Sequence, residues 1–171
     1  VPQGGHVGVI SENRVEWVLA QLGASVVGAI TVGVYPTSPT PEVAYVLAHA
    51  AVDVVVCEAQ EQTDKVIAAR EQLPRLRAVV VIERKGLRNT PPGLRDLVTS
   101  FDELEALGAR HEAEHPTLVD DVLAAQTLDD IALEISLKKP IIHTCDVVAG
   151  ETPGRWGTVS VQRCAREETA D

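Results

Sequence analysis

Methionine is absent from the sequence and aromatic residues are rare, with one Phe, two Tyr and two Trp among 171 residues. Because a natural reading frame begins with Met, the initial Val1 leads us to expect a fragment of a longer protein. The three cysteines, Cys57, Cys145 and Cys164, are too few and too widely spaced for a disulfide framework or a paired-cysteine metal site. Such cysteine usage is typical of a reducing compartment, and we expect a cytoplasmic location.

Basic residues are also scarce, since 15 Lys and Arg face 25 Asp and Glu for a net charge of −10. A nucleic-acid surface needs clustered cations that displace the counterions of phosphate, so this balance argues against a nucleic-acid partner. Apolar residues make up 45% of the chain, which is enough for a folded core and argues against disorder. The first residues lack the basic and apolar regions of a signal peptide.

The 19 residues from Trp17 to Tyr35 carry no charge and approach the length of a membrane-spanning helix. Glycine recurs within it at positions 23, 28 and 33, and its last residues are β-branched. This composition favours a buried helix followed by a buried strand. We therefore expect no transmembrane span, and peripheral contact with a membrane stays an alternative.

Short apolar runs alternate with longer helical segments between Val7 and Ile82, and this order predicts an α/β fold. An Asn-x-x-Glu capping signal at Asn13 and Glu16 predicts the start of the first helix. Alternating strands and helices imply right-handed crossovers and a doubly wound, mostly parallel sheet flanked by helices. The predicted strands are residues 7–10, 30–35, 54–57 and 78–82, and the predicted helices are 14–27, 42–51 and 60–73.

The pattern weakens after Glu83. Residues 84–99 are rich in Gly and Pro and predict a loop, and 101–111 predict an amphipathic helix with Leu104 and Leu107 facing inward. A short acidic helix is predicted at 117–125. Residues 1–133 carry 19 acidic and 10 basic side chains, against six and five in 134–171. From about Leu133 we therefore expect a separate, irregular tail.

One segment fits a metal-site pattern. His111-Glu-Ala-Glu-His115 matches H-E-x-x-H, in which two histidines one helical turn apart bind zinc and the Glu at 112 acts as a base. Glu134 could supply a third ligand. However, Pro116 disfavours helical geometry at His115, and the surroundings are acidic. We interpret the segment as a solvated helix end, with a zinc hydrolase as the less favoured alternative.

Two glycine-rich segments resemble nucleotide loops only in part. Gly28 to Gly33 has phosphate-loop spacing, but Val34 and Tyr35 stand where Lys and Ser or Thr are required. Residues 4–8 lack the dinucleotide spacing and precede a strand when they should follow one. We interpret both as turns and close packing.

The remaining candidates form no recognised catalytic pattern. Adjacent acids at 120–121 and 129–130 diverge on a helix and form no acid–base dyad. Cys57 is predicted to be an inert core thiol, and the other two cysteines are the more reactive. No partner at triad spacing accompanies the lone histidines His6, His49 and His143.

Several segments, in order and with similar spacing, resemble a known family. They are GVISENRVEWV at 8–18, LGA at 22–24, GA at 28–29, VGVYPTSP at 32–39, EVAYVL at 42–47, EQTDK at 61–65, FDEL at 101–104, LG at 107–108 and DDIA at 129–132. Together they are similar to the N-terminal part of AMP-forming long-chain fatty-acid-CoA ligases, of the adenylate-forming superfamily, over about residues 4–132. The resemblance implies a large two-domain enzyme that activates a fatty acid with ATP and Mg²⁺ and transfers it to CoA.

The resemblance also implies what should follow residue 132. In the family, a strand leads into a Ser/Thr/Gly-rich loop ending in Pro-Lys-Gly that holds the ATP phosphates. Residues 133–140 stand in that place here, and Lys138, Lys139 and Pro140 do not restore the loop because no Gly or Thr run precedes them. We therefore assign no catalytic, cofactor-binding or metal-binding residue to this chain.

These observations predict a partial AMP-binding domain at 1–132 and a tail at 133–171 without family resemblance, as a shifted reading frame would produce. We expect the chain alone to be inactive and prone to self-association through exposed apolar surface. The alternative is a non-catalytic α/β module that binds a partner through its sheet edge or the proline-rich segment from Tyr35 to Pro41. Reading the coding DNA in the other two frames after Ala132 tests the frameshift.

Overall fold

The computed structural model describes residues 1–85 and 95–127, together with the backbone of 92–94, 133–137 and 141–144. Its centre is a seven-stranded sheet with the strand order β5-β4-β3-β1-β2-β6-β7. Every neighbouring pair is parallel except β6 and β7, which are antiparallel. The strands are β1 His6–Ile10, β2 Ile30–Val34, β3 Val54–Cys57, β4 Ala78–Val81, β5 Val98–Ser100, β6 Leu133–Leu137 and β7 Ile141–Thr144.

Helices cover both faces of this sheet, which confirms the predicted doubly wound α/β class. They are α1 Val15–Val26, α2 Thr40–His49, α3 Gln60–Ala68, α4 Phe101–Glu114 and α5 Leu118–Ala125, with short 3₁₀ turns at Arg70–Gln72 and Pro92–Leu97. Consecutive strand residues point to opposite faces, so each strand serves two cores. On β1, Ile10 packs with the α2 and α3 side chains, whereas Val9 packs with the α1 side.

The stretch from Trp17 to Tyr35 forms the end of α1 and then β2, as predicted. Gly28 makes the tight turn between them with a φ of +68°, a left-handed conformation that glycine adopts without steric cost. No helix among the described residues is long and apolar enough to cross a membrane.

Three local predictions differ from the structure. The N-cap residue of α1 is Arg14 and not Asn13, and its side chain makes no capping hydrogen bond. The Glu16 carboxylate, which was predicted to bond back to Asn13, instead accepts a hydrogen bond from Arg14. Of the segment predicted as a loop at 84–99, residues 86–91 lie outside the described residues, and 92–99 contain the 3₁₀ turn and the first two residues of β5. Leu104 and Leu107 were predicted to face inward, and this was wrong.

Both leucines lie on the exposed side of α4, with exposed fractions of 38% and 55%. The reason is that α4 reaches the core only through its first residue, Phe101, which packs beside Val80 and Val56. The rest of the helix extends away from the sheet. Amphipathic spacing therefore marked a face of α4 that the described residues leave uncovered.

The segment predicted as an irregular tail includes two strands. β6 extends the sheet by pairing with β2, and β7 pairs with β6. Residues 128–132, 138–140 and 145–171 lie outside the described residues.

Candidate functional site

Parallel sheets commonly bind ligands where the carboxyl ends of their strands meet, at the point where the strand order reverses. Here that point lies between β1 and β3. The strand that follows β1 along the chain, β2, pairs on one side of β1, and the next strand, β3, pairs on its other side. Ser11 and Glu12 follow β1, Glu58 follows β3, and Glu83 lies just beyond β4. We call these four residues, with Arg14, the carboxyl edge.

The carboxylate of Glu58 connects the end of β3 to the residues that follow β1. It accepts a hydrogen bond from the backbone N–H of Glu12 at 2.7 Å and one from the Ser11 hydroxyl at 3.3 Å. The backbone N–H of Glu58 in turn donates to the carbonyl of Ile10 at 3.0 Å. The donors that could receive an anionic ligand at this point are thus already bound to the protein's own carboxylate.

Arg14 joins the start of α1 to the ends of two strands. Its Nη1 lies 2.9 Å from Glu83 Oε1 and 3.5 Å from Glu58 Oε1, and its Nε lies 2.8 Å from Glu16 Oε2. Hydrogen bonds to Glu16 and Glu83 raise the pKa of the guanidinium, and the bond from Arg14 lowers the pKa of the Glu16 carboxyl. The pairing therefore favours the charged forms of Arg14 and Glu16.

The carboxyl edge is acidic, because it contains Glu12, Glu58 and Glu83 but a single guanidinium, which is already paired with Glu58 and Glu83. Phosphate groups and Mg²⁺-bound triphosphates are held by free cations and free backbone N–H groups, which these residues do not offer. The ion pairs of Arg14 suit a structural role for this edge, in which they connect the start of α1 to the ends of β3 and β4. The edge does not fit ATP.

The proline-rich segment from Tyr35 to Pro41 leaves β2 at this same end of the sheet. Lys65 on α3 anchors it, because the ammonium donates to the Pro36 carbonyl at 2.9 Å and pairs with Glu61 at 2.9 Å. Ser38 is buried, whereas the side chain of Tyr35 is 57% exposed. A role of this segment in partner binding stays a prediction.

Neither glycine-rich segment forms a nucleotide loop. Gly33 lies inside β2, so the interval from Gly28 to Gly33 is a turn followed by a strand. Gly4 and Gly5 precede β1, and the Gly4 N–H donates to the Gly28 carbonyl at 2.7 Å. Both segments connect elements at the amino end of the sheet, as interpreted from the sequence.

A buried carboxylate at this amino end was not singled out from the sequence. The side chain of Asp53 is 1% exposed, and Arg75 Nη2 lies 3.0 Å from its Oδ2. The backbone N–H of His6 donates to the same oxygen at 3.3 Å. Asp53 precedes β3 by one residue and so ties the starts of β1 and β3 to the segment before β4. A lone Asp beside an apolar run carries no local signal of such a role.

The sequence-derived metal candidates are only partly brought together. His111 and His115 lie at the end of α4 with ring centroids 4.5 Å apart. His115 has left helical geometry, with φ −134° and ψ 65°, as Pro116 predicts. The carboxylate near both rings is that of Glu114 and not Glu112.

The other candidates are dispersed. Asp120 and Asp121 are exposed on α5, and His49 stacks on Tyr45 on α2. Glu134 and His143 lie in β6 and β7, where only the backbone is described. Asp129, Asp130, Lys138, Lys139, Pro140, Cys145 and Cys164 lie outside the described residues.

Cys57 ends β3 inside the core, as predicted. Burial raises the pKa of its thiol to about 12, and a hydrogen bond with Thr63 offsets this only in part. The thiol is therefore protonated near neutral pH and is a poor nucleophile.

Comparison with known proteins agrees with this architecture. The chain is 39% identical over 80 residues to the long-chain-fatty-acid–CoA ligase heimdall of Drosophila melanogaster, covering 47% of this chain and 12% of that protein. It is 28% identical over 106 residues to the human long-chain-fatty-acid–CoA ligase ACSBG1, covering 62% of this chain and 14% of that protein. The chain thus spans about an eighth of the length of these relatives.

Among solved structures, coronafacic acid ligase from Pectobacterium brasiliense has the same fold, with a TM-score of 0.57 and 14% identity, over 84% of this chain and 25% of that one. The family model for AMP-binding enzymes matches residues 1–132. This match includes every strand from β1 to β5 and every helix that the structure describes. The chain therefore belongs to the family of AMP-binding enzymes.

Proposed function

We propose that residues 1–132 are one α/β unit of a long-chain fatty-acid–CoA ligase, which converts a fatty acid, ATP and CoA to acyl-CoA, AMP and pyrophosphate. The observation that carries the proposal is the family match over these residues, together with relatives named long-chain-fatty-acid–CoA ligases. Residues 133–171 lie outside the family match, although β6 at their start pairs with β2.

In this proposal the unit acts as a scaffold that walls part of the active-site cleft. Glu58 and Arg14 of its carboxyl edge are bound to the protein's own groups, so this edge offers no free cation to a phosphate. Groups that bind ATP, Mg²⁺ and CoA belong to other parts of such a ligase. The unit would supply shape and support to those groups.

The 171-residue chain is, by the same proposal, inactive alone. A phosphate-binding loop of this family would follow residue 132, and the sequence there reads LEISLKKP. The aliphatic and charged residues of this segment replace the small residues that let backbone N–H groups approach phosphate. The acidic carboxyl edge does not compensate for that loop. We also propose a cytoplasmic location.

Fatty-acid-dependent exchange of labelled pyrophosphate into ATP tests this function, because exchange reports formation of an acyl-adenylate without CoA. The purified chain should show only the background seen without palmitate, while a full-length relative assayed alongside should exchange label. Exchange by the chain above this background would contradict the proposed inactivity. A non-catalytic partner-binding module would give the same background here. Exchange by a chimera in which residues 1–132 replace the matching segment of a full-length ligase separates the two.

A further inference from the structure

The end of α4 carries a cluster of metal-binding groups that the proposed ligase role does not use. One ligand atom each from His111, Glu114 and His115 lies within 4.8 Å of the other two. All three side chains are exposed. Among the described residues, this is the one group of three or more His, Cys, Asp or Glu side chains close enough to share an ion.

Helical spacing explains why these three groups meet. Glu114 and His115 are the third and fourth residues after His111, and both positions are neighbours of His111 on the helix surface. Although His115 has left helical dihedral angles, its backbone N–H still donates to the His111 carbonyl at 2.9 Å and the Glu112 carbonyl at 3.2 Å. These bonds hold the His115 backbone against the last turn, where the centroid of its ring lies 4.5 Å from that of His111.

The distances suit a single ion. A tetrahedral zinc site with bonds of about 2.1 Å separates its ligand atoms by about 3.4 Å. Without an ion, the three ligand atoms already lie within 4.8 Å of one another. The exposed side chains can rotate to shorten these distances to about 3.4 Å. The carbonyl end of a helix also favours a cation through its partial negative charge.

The donor set selects the class of metal. Two imidazoles and one carboxylate suit Zn²⁺, Ni²⁺ and Cu²⁺, whereas Mg²⁺ and Ca²⁺ prefer oxygen ligands throughout. Three protein ligands leave at least one position for water. The chemistry of the cluster is therefore that of an open transition-metal site.

We propose that His111, Glu114 and His115 bind one divalent transition-metal ion at the exposed end of α4. The carboxylate of the site is Glu114, whereas the H-E-x-x-H pattern assigns Glu112 the role of a base. The inference is thus a binding site and not a hydrolase, and it is independent of the proposed ligase function.

Calorimetric titration of the full chain with Zn²⁺ tests the site. The wild-type chain should take up one ion in a saturable step at this site, and this step should be lost in His111→Ala and in Glu114→Gln. Two matched controls should keep it. Glu112→Gln removes a neighbouring carboxylate outside the cluster, and His49→Ala removes a histidine on α2.

Cobalt substitution distinguishes this site from binding by the cysteines. Co²⁺ bound by His and Glu gives visible d–d bands without the near-ultraviolet charge-transfer band of a thiolate ligand. We expect the visible bands in wild type and their loss in His115→Ala. Circular dichroism without metal should be the same for all variants, because the altered side chains are exposed.

Three results would overturn the proposal. The first is Zn²⁺ uptake that His111→Ala and Glu114→Gln leave unchanged, and the second is a Co²⁺ spectrum dominated by the thiolate band. The third is the absence of saturable uptake in the wild-type chain. None of these results bears on pyrophosphate exchange, so the metal site and the ligase function fail separately.

Discussion

The contact between Gly8 on β1 and Leu47 on α2 provides a quantitative test of how the helices pack on the sheet. Leu47 is fully buried, and a Cβ placed on Gly8 would lie 2.8 Å from the Leu47 Cδ2 atom. Real Cβ atoms essentially never come this close to another heavy atom, so one of the two groups would have to move. The absence of a side chain at residue 8 therefore makes room for Leu47.

Each single substitution should destabilise the fold for a different reason. Leu47→Ala removes buried methyl groups and leaves a cavity, at a cost of about 2–5 kcal/mol. Gly8→Ala overpacks the same space at a cost of roughly 1–3 kcal/mol, reduced by about 0.4–1 kcal/mol because alanine restricts the unfolded chain. In the double variant the methyl group introduced at residue 8 enters the space that Leu47 vacates. The double variant should thus cost less than the sum, by about 0.5–3 kcal/mol.

Urea unfolding followed by circular dichroism measures these free energies of unfolding, provided that the slope of the transition stays constant. Gly8→Ala combined with Val43→Ala is the matched control, since Val43 is a buried α2 residue outside the nearest neighbours of Gly8. That control pair should be additive. Additivity of Gly8→Ala with Leu47→Ala, to within about 0.5 kcal/mol, would refute the close approach.

Four further outcomes follow from the described contacts. Ser100→Ala removes the hydroxyl that caps the Glu103 N–H at 3.2 Å, and urea unfolding should show a loss of about 1 kcal/mol that Ser100→Thr largely avoids. Hydrogen bonds from Ser100 lower the pKa of Glu103 from its ordinary value of 4.5. The Glu103 carboxylate therefore stabilises the fold above pH 4.5, and this stabilisation is lost as the pH falls through the lowered pKa. In Glu103→Gln, the free energy of unfolding should depend less on pH over this acidic range. In a variant with Cys145 and Cys164 replaced by serine, a thiol reagent such as DTNB should modify Cys57 only in denaturant, and reaction of the native Cys57 thiol would contradict its burial. The exposed α1 residues Val18 and Leu22 favour self-association, so light scattering should fall after Val18→Lys and Leu22→Lys; unchanged scattering would exclude this face.

The alternation of elements from β1 to β4 could be predicted because each strand is a short β-branched run and each helix is long enough to show its period. The run from Val54 to Cys57 is an example, since all four residues form β3. β5 could not be predicted in this way. It has three residues, Val98–Ser100, and its pairing with β4 supplies the order that its local sequence lacks.

The carboxyl edge also depends on distant contacts. Glu58 lies 47 positions from Ser11 and Arg14 lies 69 positions from Glu83. The local pattern predicted that Glu16 would help to cap α1, but the Glu16 carboxylate accepts a hydrogen bond from the Arg14 guanidinium instead. In contrast, Pro116 acts on the residue beside it, which is why the non-helical backbone of His115 could be anticipated.

Exposure at α4 shows a further limit of pattern reading. Periodicity identifies which face of a helix is apolar, and it does not identify what covers that face. Leu104 and Leu107 share such a face, yet α4 contacts the sheet only through its first turn. The placement of a helix relative to a sheet is a tertiary property that spacing alone does not encode.

The central claim, that residues 1–132 are the equivalent of the matching unit in long-chain fatty-acid–CoA ligases, can be tested by exchanging the two. Residues 1–132 would replace the matching segment of the Drosophila relative, and pyrophosphate exchange with palmitate would be measured beside a deletion of that segment. The account predicts exchange by the chimera and none by the deletion. A chimera that melts cooperatively but shows no palmitate-dependent exchange would contradict the account.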